Sequence, residues 1–157
     1  MKGALENERP ALRTAVSHCP DETIALGTAG LERILPHRYP MLLLDRVQQL
    51  STTRARGYKN VSANEPWFSE VVVSYPNTLV IEAMAQLGGL LVVTPVDYGR
   101  KMAHLAGIIR ARFRGVAVAG DRLQMDAALI RLRGTAGWVR VSTSVDGRAL
   151  CLARSYS

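Results

Sequence analysis

The apolar and polar positions of this chain divide it into one long apolar run and several shorter alternating ones. Residues 78–93, TLVIEAMAQLGGLLVV, are apolar on nearly every side of a helical wheel. That pattern predicts a helix enclosed by other structure, not one lying on a surface. Asn77 or Thr78, directly after Pro76, is the expected N-cap, and Thr94-Pro95 is the expected stop. Upstream, LERIL predicts a short helical turn that Pro36 and Pro40 punctuate. MLLLDRVQQL, residues 41–50, reads as a strand buried on both faces, and TTRARGYKNVSAN, residues 52–64, as its antiparallel partner. Val71 to Val73 suggest a strand that turns Glu70 to water. Downstream of the helix, AHLAGIIRARF, RLQMDAALIRLRG, WVRVSTSVDG and RALCLARSY predict further strands, with tight connections at Arg133-Gly134 and Asp146-Gly147. One buried helix followed by a run of antiparallel strands points to an α+β fold with the sheet wrapped round the helix. Residues 1–28, mixed in composition and carrying Pro10 and Pro20, read as a poorly ordered arm before a domain spanning 29–157.

Composition adds bounds. A chain of 157 residues, 48% hydrophobic, suits one globular domain with a core of its own. Cys19 and Cys151 lie far apart without a CxxC pairing, which argues against a disulfide framework or a zinc site and makes a reducing cytoplasm the expected compartment. The longest apolar run is too short for a membrane span, and the N-terminus lacks the pattern of a secretory signal. The net charge of +7 is uneven: from Arg100 to Arg140 nine Lys or Arg residues face two acids, Asp121 and Asp126. Such a bias favours acidic partners. No nucleic-acid motif accompanies it and aromatics for base stacking are few, so two readings stay open: a solvated face with surplus arginine, or a surface for an acidic protein or phosphorylated ligand.

The candidate chemistry sits in the apolar run. From Thr78 to Val93 the one ionisable side chain is Glu82. Removal from water favours a neutral carboxyl, which could deliver its proton to a departing hydroxyl. Gln86 follows at i+4 on the same helical face, where it can orient that carboxyl or bind water. The structural alternative is a buried carboxylate paired with a nearby arginine.

Four segments in order, LPHRYPMLLLDRV (35–47), KNVSANEPWF (59–68), IEAMAQLGGLL (81–91) and AGIIRARFRGVAVAGDRLQM (106–125), resemble the bacterial 3-hydroxyacyl-acyl-carrier-protein dehydratases, from about Leu31 to the C-terminus. The resemblance implies the hot-dog fold, an antiparallel sheet curled around a long central helix, working as a dimer or trimer of dimers. It implies no metal or organic cofactor, the substrate being carried on phosphopantetheine. It makes Glu82 the catalytic carboxyl, with Gln86 beside it, and gives the helix N-terminus at Asn77 and Thr78 free N–H groups for the thioester oxygen. Arg110, Arg112 and Arg114 become candidates for the acidic carrier protein and its phosphate; their alternative is an alternating, solvent-facing strand side.

One part of the family pattern is missing. Relatives carry a segment like GHFPxxPxMPG before the helix, and its histidine abstracts the α-proton. Here the stretch is SEVVVSYPNT, Ser69 to Thr78, shorter and without histidine. His37 lies in a motif that relatives carry together with that histidine and reads as structural, His104 reads as exposed, and His18 falls in the arm. In the family each site takes its histidine from one subunit and its carboxyl from the other. The chain is therefore expected to join a homo-oligomer, or a heterodimer with a histidine-bearing paralogue such as the paired subunits of aryl polyene synthesis. Two alternatives stay open: an acyl thioesterase using Glu82, and a non-catalytic subunit that binds acyl carriers.

Overall fold

The computed structural model describes residues 24–93 and 102–156. The expected arm up to residue 23, Cys19 and the Thr94-Pro95 stop lie outside these described residues. In chain order the elements are β1 (Ile24–Leu26), α1 (Thr28–Ile34), β2 (Arg46–Leu50), β3 (Arg54–Asn60), β4 (Ser74–Tyr75), α2 (Asn77–Val92), β5 (Gly107–Phe113), β6 (Ala117–Val118), β7 (Arg122–Arg133), β8 (Ala136–Val145) and β9 (Arg148–Tyr156). Seven strands form one sheet in the order β1-β2-β3-β7-β8-β9-β5, every neighbouring pair antiparallel, and β4 pairs with β6 in a small second sheet. Helix α2 packs on β3, β7, β8 and β9. This is the hot-dog arrangement that the sequence implies.

Period-two alternation decides which face meets the helix. Ala55, Gly57 and Lys59 of β3, Leu123, Met125 and Ala127 of β7, Val139, Val141 and Thr143 of β8, and Cys151, Ala153 and Ser155 of β9 are all buried, while their neighbours in sequence mostly face out. Against them α2 buries Val80, Ala83, Met84, Leu87, Leu90 and Leu91. Burial pushes the Cys151 thiol up to about 11, so it stays protonated at neutral pH and offers no nucleophile.

Close approach of helix to sheet depends on missing side chains. A Cβ on Gly57 would stand 2.8 Å from the Arg46 carbonyl oxygen and 3.3 Å from Leu87 Cδ1, and one on Gly88 would stand 3.0 Å from Val139 Cγ2. The β8–β9 hairpin closes as the Asp-Gly pair predicts: Asp146 and Gly147 both have positive φ, 48° and 77°.

Four local expectations are corrected. Helix α2 begins at Asn77 with Pro76 in the capping position, so neither Asn77 nor Thr78 is the N-cap and no side chain caps the end. The strand expected over 41–50 begins only at Arg46. Residues 41–44 precede the ladder, where Gln86 claims their backbone: Leu43 N–H donates to Gln86 Oε1 at 3.0 Å and Gln86 Nε2 donates to the Met41 carbonyl at 2.7 Å, while Asp45 N–H already donates to the Tyr58 carbonyl of β3 at 3.0 Å. Val71 to Val73 form no strand. Ser69 Oγ accepts from the N–H groups of Val71 and Val72, at 3.3 and 3.0 Å, and folds the segment into a turn that leaves Val71 89% and Val73 71% exposed. Finally, Ile24–Leu26, placed in the arm by composition, pairs with β2 as a strand of the sheet.

Gly57→Ala should lower stability by about 1–3 kcal/mol, since its methyl must displace a backbone oxygen and not a movable side chain. Chemical denaturation would measure it, and an unchanged midpoint would contradict the close-approach argument.

Candidate active site

Helix α2 carries the Glu82 side chain on the edge that faces the loop after α1. The carboxyl is half-buried, 30% exposed, and two side chains, Gln86 and His37, meet it. Gln86 Nε2 donates to Glu82 Oε1 at 2.9 Å and to the Met41 carbonyl at 2.7 Å, while Gln86 Oε1 accepts from Leu43 N–H at 3.0 Å. These bonds leave Gln86 no freedom to flip, because Leu43 supplies a donor and Met41 an acceptor. His37 Nε2 lies 3.3 Å from the same Glu82 Oε1. Among the described residues no guanidinium is paired with the carboxyl.

The pair opens on a cavity of about 290 Å³. Ile34, Leu35, Leu90, Val93, Met102 and Leu105 give it apolar walls, Gly89 keeps the helix side open, and His37, Glu82, Gln86 and His104 supply its polar groups. It is a slot for an apolar chain with a carboxyl and two imidazoles inside. Sequence reasoning took His37 as structural and His104 as exposed. His104 is exposed and also lines the cavity; His37 touches the carboxyl. Nothing in the local sequence reveals this contact, which depends on the path of the loop after α1.

Arg38 and the motif residues set that path. The Arg38 guanidinium donates to the carbonyls of Glu32, Leu35 and His37 at 2.9, 2.9 and 2.7 Å, closing the C-terminal end of α1 and gripping the His37 backbone. At the end of β3, buried Lys59 binds Glu65 at 2.5 Å and stands 3.8 Å from Asp45. This cluster draws two of the quoted segments, 35–47 and 59–68, together. Its carboxylates, after the dominant effect of burial, help hold the neighbouring Tyr75 hydroxyl protonated far above its ordinary range.

The other candidates stand apart from the cavity. Asn77 and Thr78 are exposed at the start of α2 and do not line it. The N–H groups of Leu79 and Val80 bond the Pro76 carbonyl, and those of Asn77 and Thr78 have no partner among the described residues. Glu82 lies four and five residues further on, about 6 and 7.5 Å along the axis. Arg110 and Arg112 are exposed on β5, and Arg114 follows it. Register aligns Arg110 with Arg154, and Arg154 with Arg140, a row of like charges across three strands. Such a row is unfavourable unless something anionic covers it. Among the described residues no cluster of His, Cys, Asp and Glu is arranged to hold a metal ion, and no helix is long and apolar enough to cross a membrane.

Comparison with known proteins decides the family. Residues 35–154 match the FabA-like domain. The chain belongs to the FabA-like family of 3-hydroxyacyl-acyl-carrier-protein dehydratases. It is 48% identical over 114 residues to the FabZ dehydratase of Pelotomaculum thermopropionicum, covering 70% of this chain and 81% of that one. It is 38% identical over 130 residues to the FabZ dehydratase of Bacillus subtilis, covering 80% and 92%. In fold it is similar to a structure of the dehydratase heterocomplex ApeI:P from Xenorhabdus doucetiae, with TM-score 0.65 and 24% identity over 80% of this chain and 88% of that one. Residues Ser69–Thr78 of the chain hold no histidine.

Gln86→Leu should leave the buried Leu43 N–H without its acceptor and the part-buried Met41 carbonyl without its donor, and cost about 1–3 kcal/mol of stability. Thermal or denaturant unfolding checks this; a neutral effect would mean that the Gln86 bonds do not hold the loop.

Proposed function

We propose that this protein is a subunit in the dehydration of (3R)-3-hydroxyacyl thioesters carried on acyl carrier protein, in fatty acid or polyketide-type biosynthesis, giving the trans-2-enoyl thioester. The observation that carries the reading is the Glu82 carboxyl, oriented by Gln86, at one side of an apolar slot. Glu82 donates a proton to the leaving hydroxyl. Gln86 keeps its carboxyl aimed, and the Asn77 and Thr78 N–H groups polarise the thioester carbonyl, where enolate charge develops. The family membership and the activity of the FabZ relatives support the substrate class. No metal or organic cofactor enters the reaction; the substrate brings its own phosphopantetheine.

The α-proton is taken by a histidine of a partner subunit. Three features support an open assembly surface: the absence of histidine from 69–78, the exposed Val71 to Val73, and the free edge of β5, where Ile108 and Ile109 are exposed. The fold neighbour from Xenorhabdus doucetiae is described as a dehydratase heterocomplex. A heterodimer with a histidine-bearing paralogue would then hold one complete site. Arg110 and Arg112, continued by Arg154 and Arg140, offer the basic surface for the acidic carrier.

The test is direct. The purified chain alone should not form enoyl product from a 3-hydroxyacyl-carrier thioester, and a co-encoded histidine-bearing homologue should restore it. Glu82→Gln in the mixture should lower kcat by about a hundredfold or more; full activity there would remove Glu82 from the chemistry. Release of free thiol by the chain alone would mean a thioesterase, and silence in every pairing a non-catalytic binder. Turnover by the chain alone would make the base one of its own imidazoles. Separately, the double substitution Arg110→Glu and Arg112→Glu should raise KM for the carrier-bound substrate about tenfold with little change in kcat. An unchanged KM would exclude these arginines from docking.

A further inference from the structure

His37 has no part in the scheme above, yet its imidazole makes the closest contact to the carboxyl that a second titratable side chain makes in this site. Its two nitrogens differ sharply. Nε2 stands 3.3 Å from Glu82 Oε1, whereas Nδ1 is buried and meets no hydrogen-bonding partner. A protonated Nδ1 would be an N–H donor buried without an acceptor, the costly case; a bare Nδ1 is merely an acceptor left unused. The neutral tautomer with its proton on Nε2 is therefore the favoured one, and it donates to Glu82 Oε1.

The same oxygen already accepts from Gln86 Nε2 at 2.9 Å. An oxygen that accepts two N–H bonds is poorly suited to carry the carboxylic proton, so a proton on this carboxyl belongs on Oε2, which neither group engages. The shared proton cannot readily move the other way. An imidazolium next to a carboxylate carries the same number of protons, but it needs the Nδ1–H for which the surroundings provide no acceptor.

Among the described residues the other groups facing the pair contact neither the ring nor the carboxyl. The walls of α1 and the loop after it bring Ile34, Leu35 and Pro36, helix α2 brings Ala85 and Leu90, and the segment before β5 brings His104. The Arg38 guanidinium bonds the His37 carbonyl and not the ring.

We propose that His37 is a positioning residue: with Gln86 it occupies Glu82 Oε1, so that the acid proton Glu82 delivers is carried on Oε2. The proposal rests on Glu82 being the proton donor of the dehydratase reading, and it adds a group of this same chain to that site. No covalent step involves the imidazole: the proton leaves Glu82 for the departing hydroxyl, water is released, and the α-proton goes to the base.

Two measurements test it. Two-bond ¹H–¹⁵N correlation spectra of the full chain labelled at histidine nitrogens, assigned with His37→Gln, report the tautomer without any turnover. A neutral ring protonated on Nε2 at pH 7 is expected; an Nδ1–H tautomer or an imidazolium would overturn the proposal. Kinetics of the reconstituted mixture supply the second arm. His37→Gln, whose amide can present an N–H at the same place, should keep kcat within about fivefold and remove one ionisation from its pH profile. His37→Leu should lower kcat on the order of tenfold to a hundredfold with KM little changed. Wild-type kcat in His37→Leu would reduce the residue to a bystander, and a His37→Gln variant as inactive as Glu82→Gln would make the imidazole itself the proton carrier. If the wild-type mixture forms no enoyl product, the dehydratase reading fails while the spectra still decide the tautomer.

Discussion

The arrangement of the site depends on the satisfied amide of Gln86. A primary amide under the loop after α1 can exist there only if its donors and acceptor are met, and the loop supplies both with Leu43 N–H and the Met41 carbonyl. The second N–H of Gln86 is left for Glu82. One side chain thus ties the loop to the helix, stops β2 from starting earlier, and fixes which carboxylate oxygen is occupied. The cavity exists beside this tie because the loop is held at that distance from α2.

A second constraint lies at the end of β3. Lys59 and Glu65 form a nearly enclosed ion pair, with the more exposed Asp45 carboxylate 3.8 Å from the same ammonium. Such a cluster contributes register more than stability: it fixes β3 against the chain leaving it and against the start of β2. With Gly57 allowing the helix close to β3, the sheet and α2 are set at a separation that a single methyl group would change. The candidate chemistry is therefore carried on elements whose spacing is determined elsewhere in the fold.

The surfaces left uncovered have a common character. β5 ends the sheet with an unpaired edge and outward isoleucines, and the turn at Ser69 displays valines to water. Charge follows the same division, with the Arg110–Arg154–Arg140 row across the outer face of the strands. Apolar edge and basic face are separate surfaces, suited to different kinds of contact.

Much of this was legible in the residues themselves. The enclosed helix followed from an apolar run without a polar face, the strands from period-two alternation, the last hairpin from Asp146-Gly147, and the lone carboxyl from its contrast with everything around it. Boundaries were less legible where side chains compete for backbone groups. Neither the Gln86–Leu43 bond nor the Ser69 turn has a signature in hydrophobic periodicity, so 41–45 and 71–73 looked like strands. The role open to His37 was invisible for a related reason: its partner is far away in sequence, and an imidazole in a proline-flanked loop carries no sign of what it will face. Local pattern determined which segments bury and how they repeat, because burial follows from side-chain type and period. Only the folded chain decided which polar groups meet, because hydrogen bonds between distant segments depend on where the backbone returns.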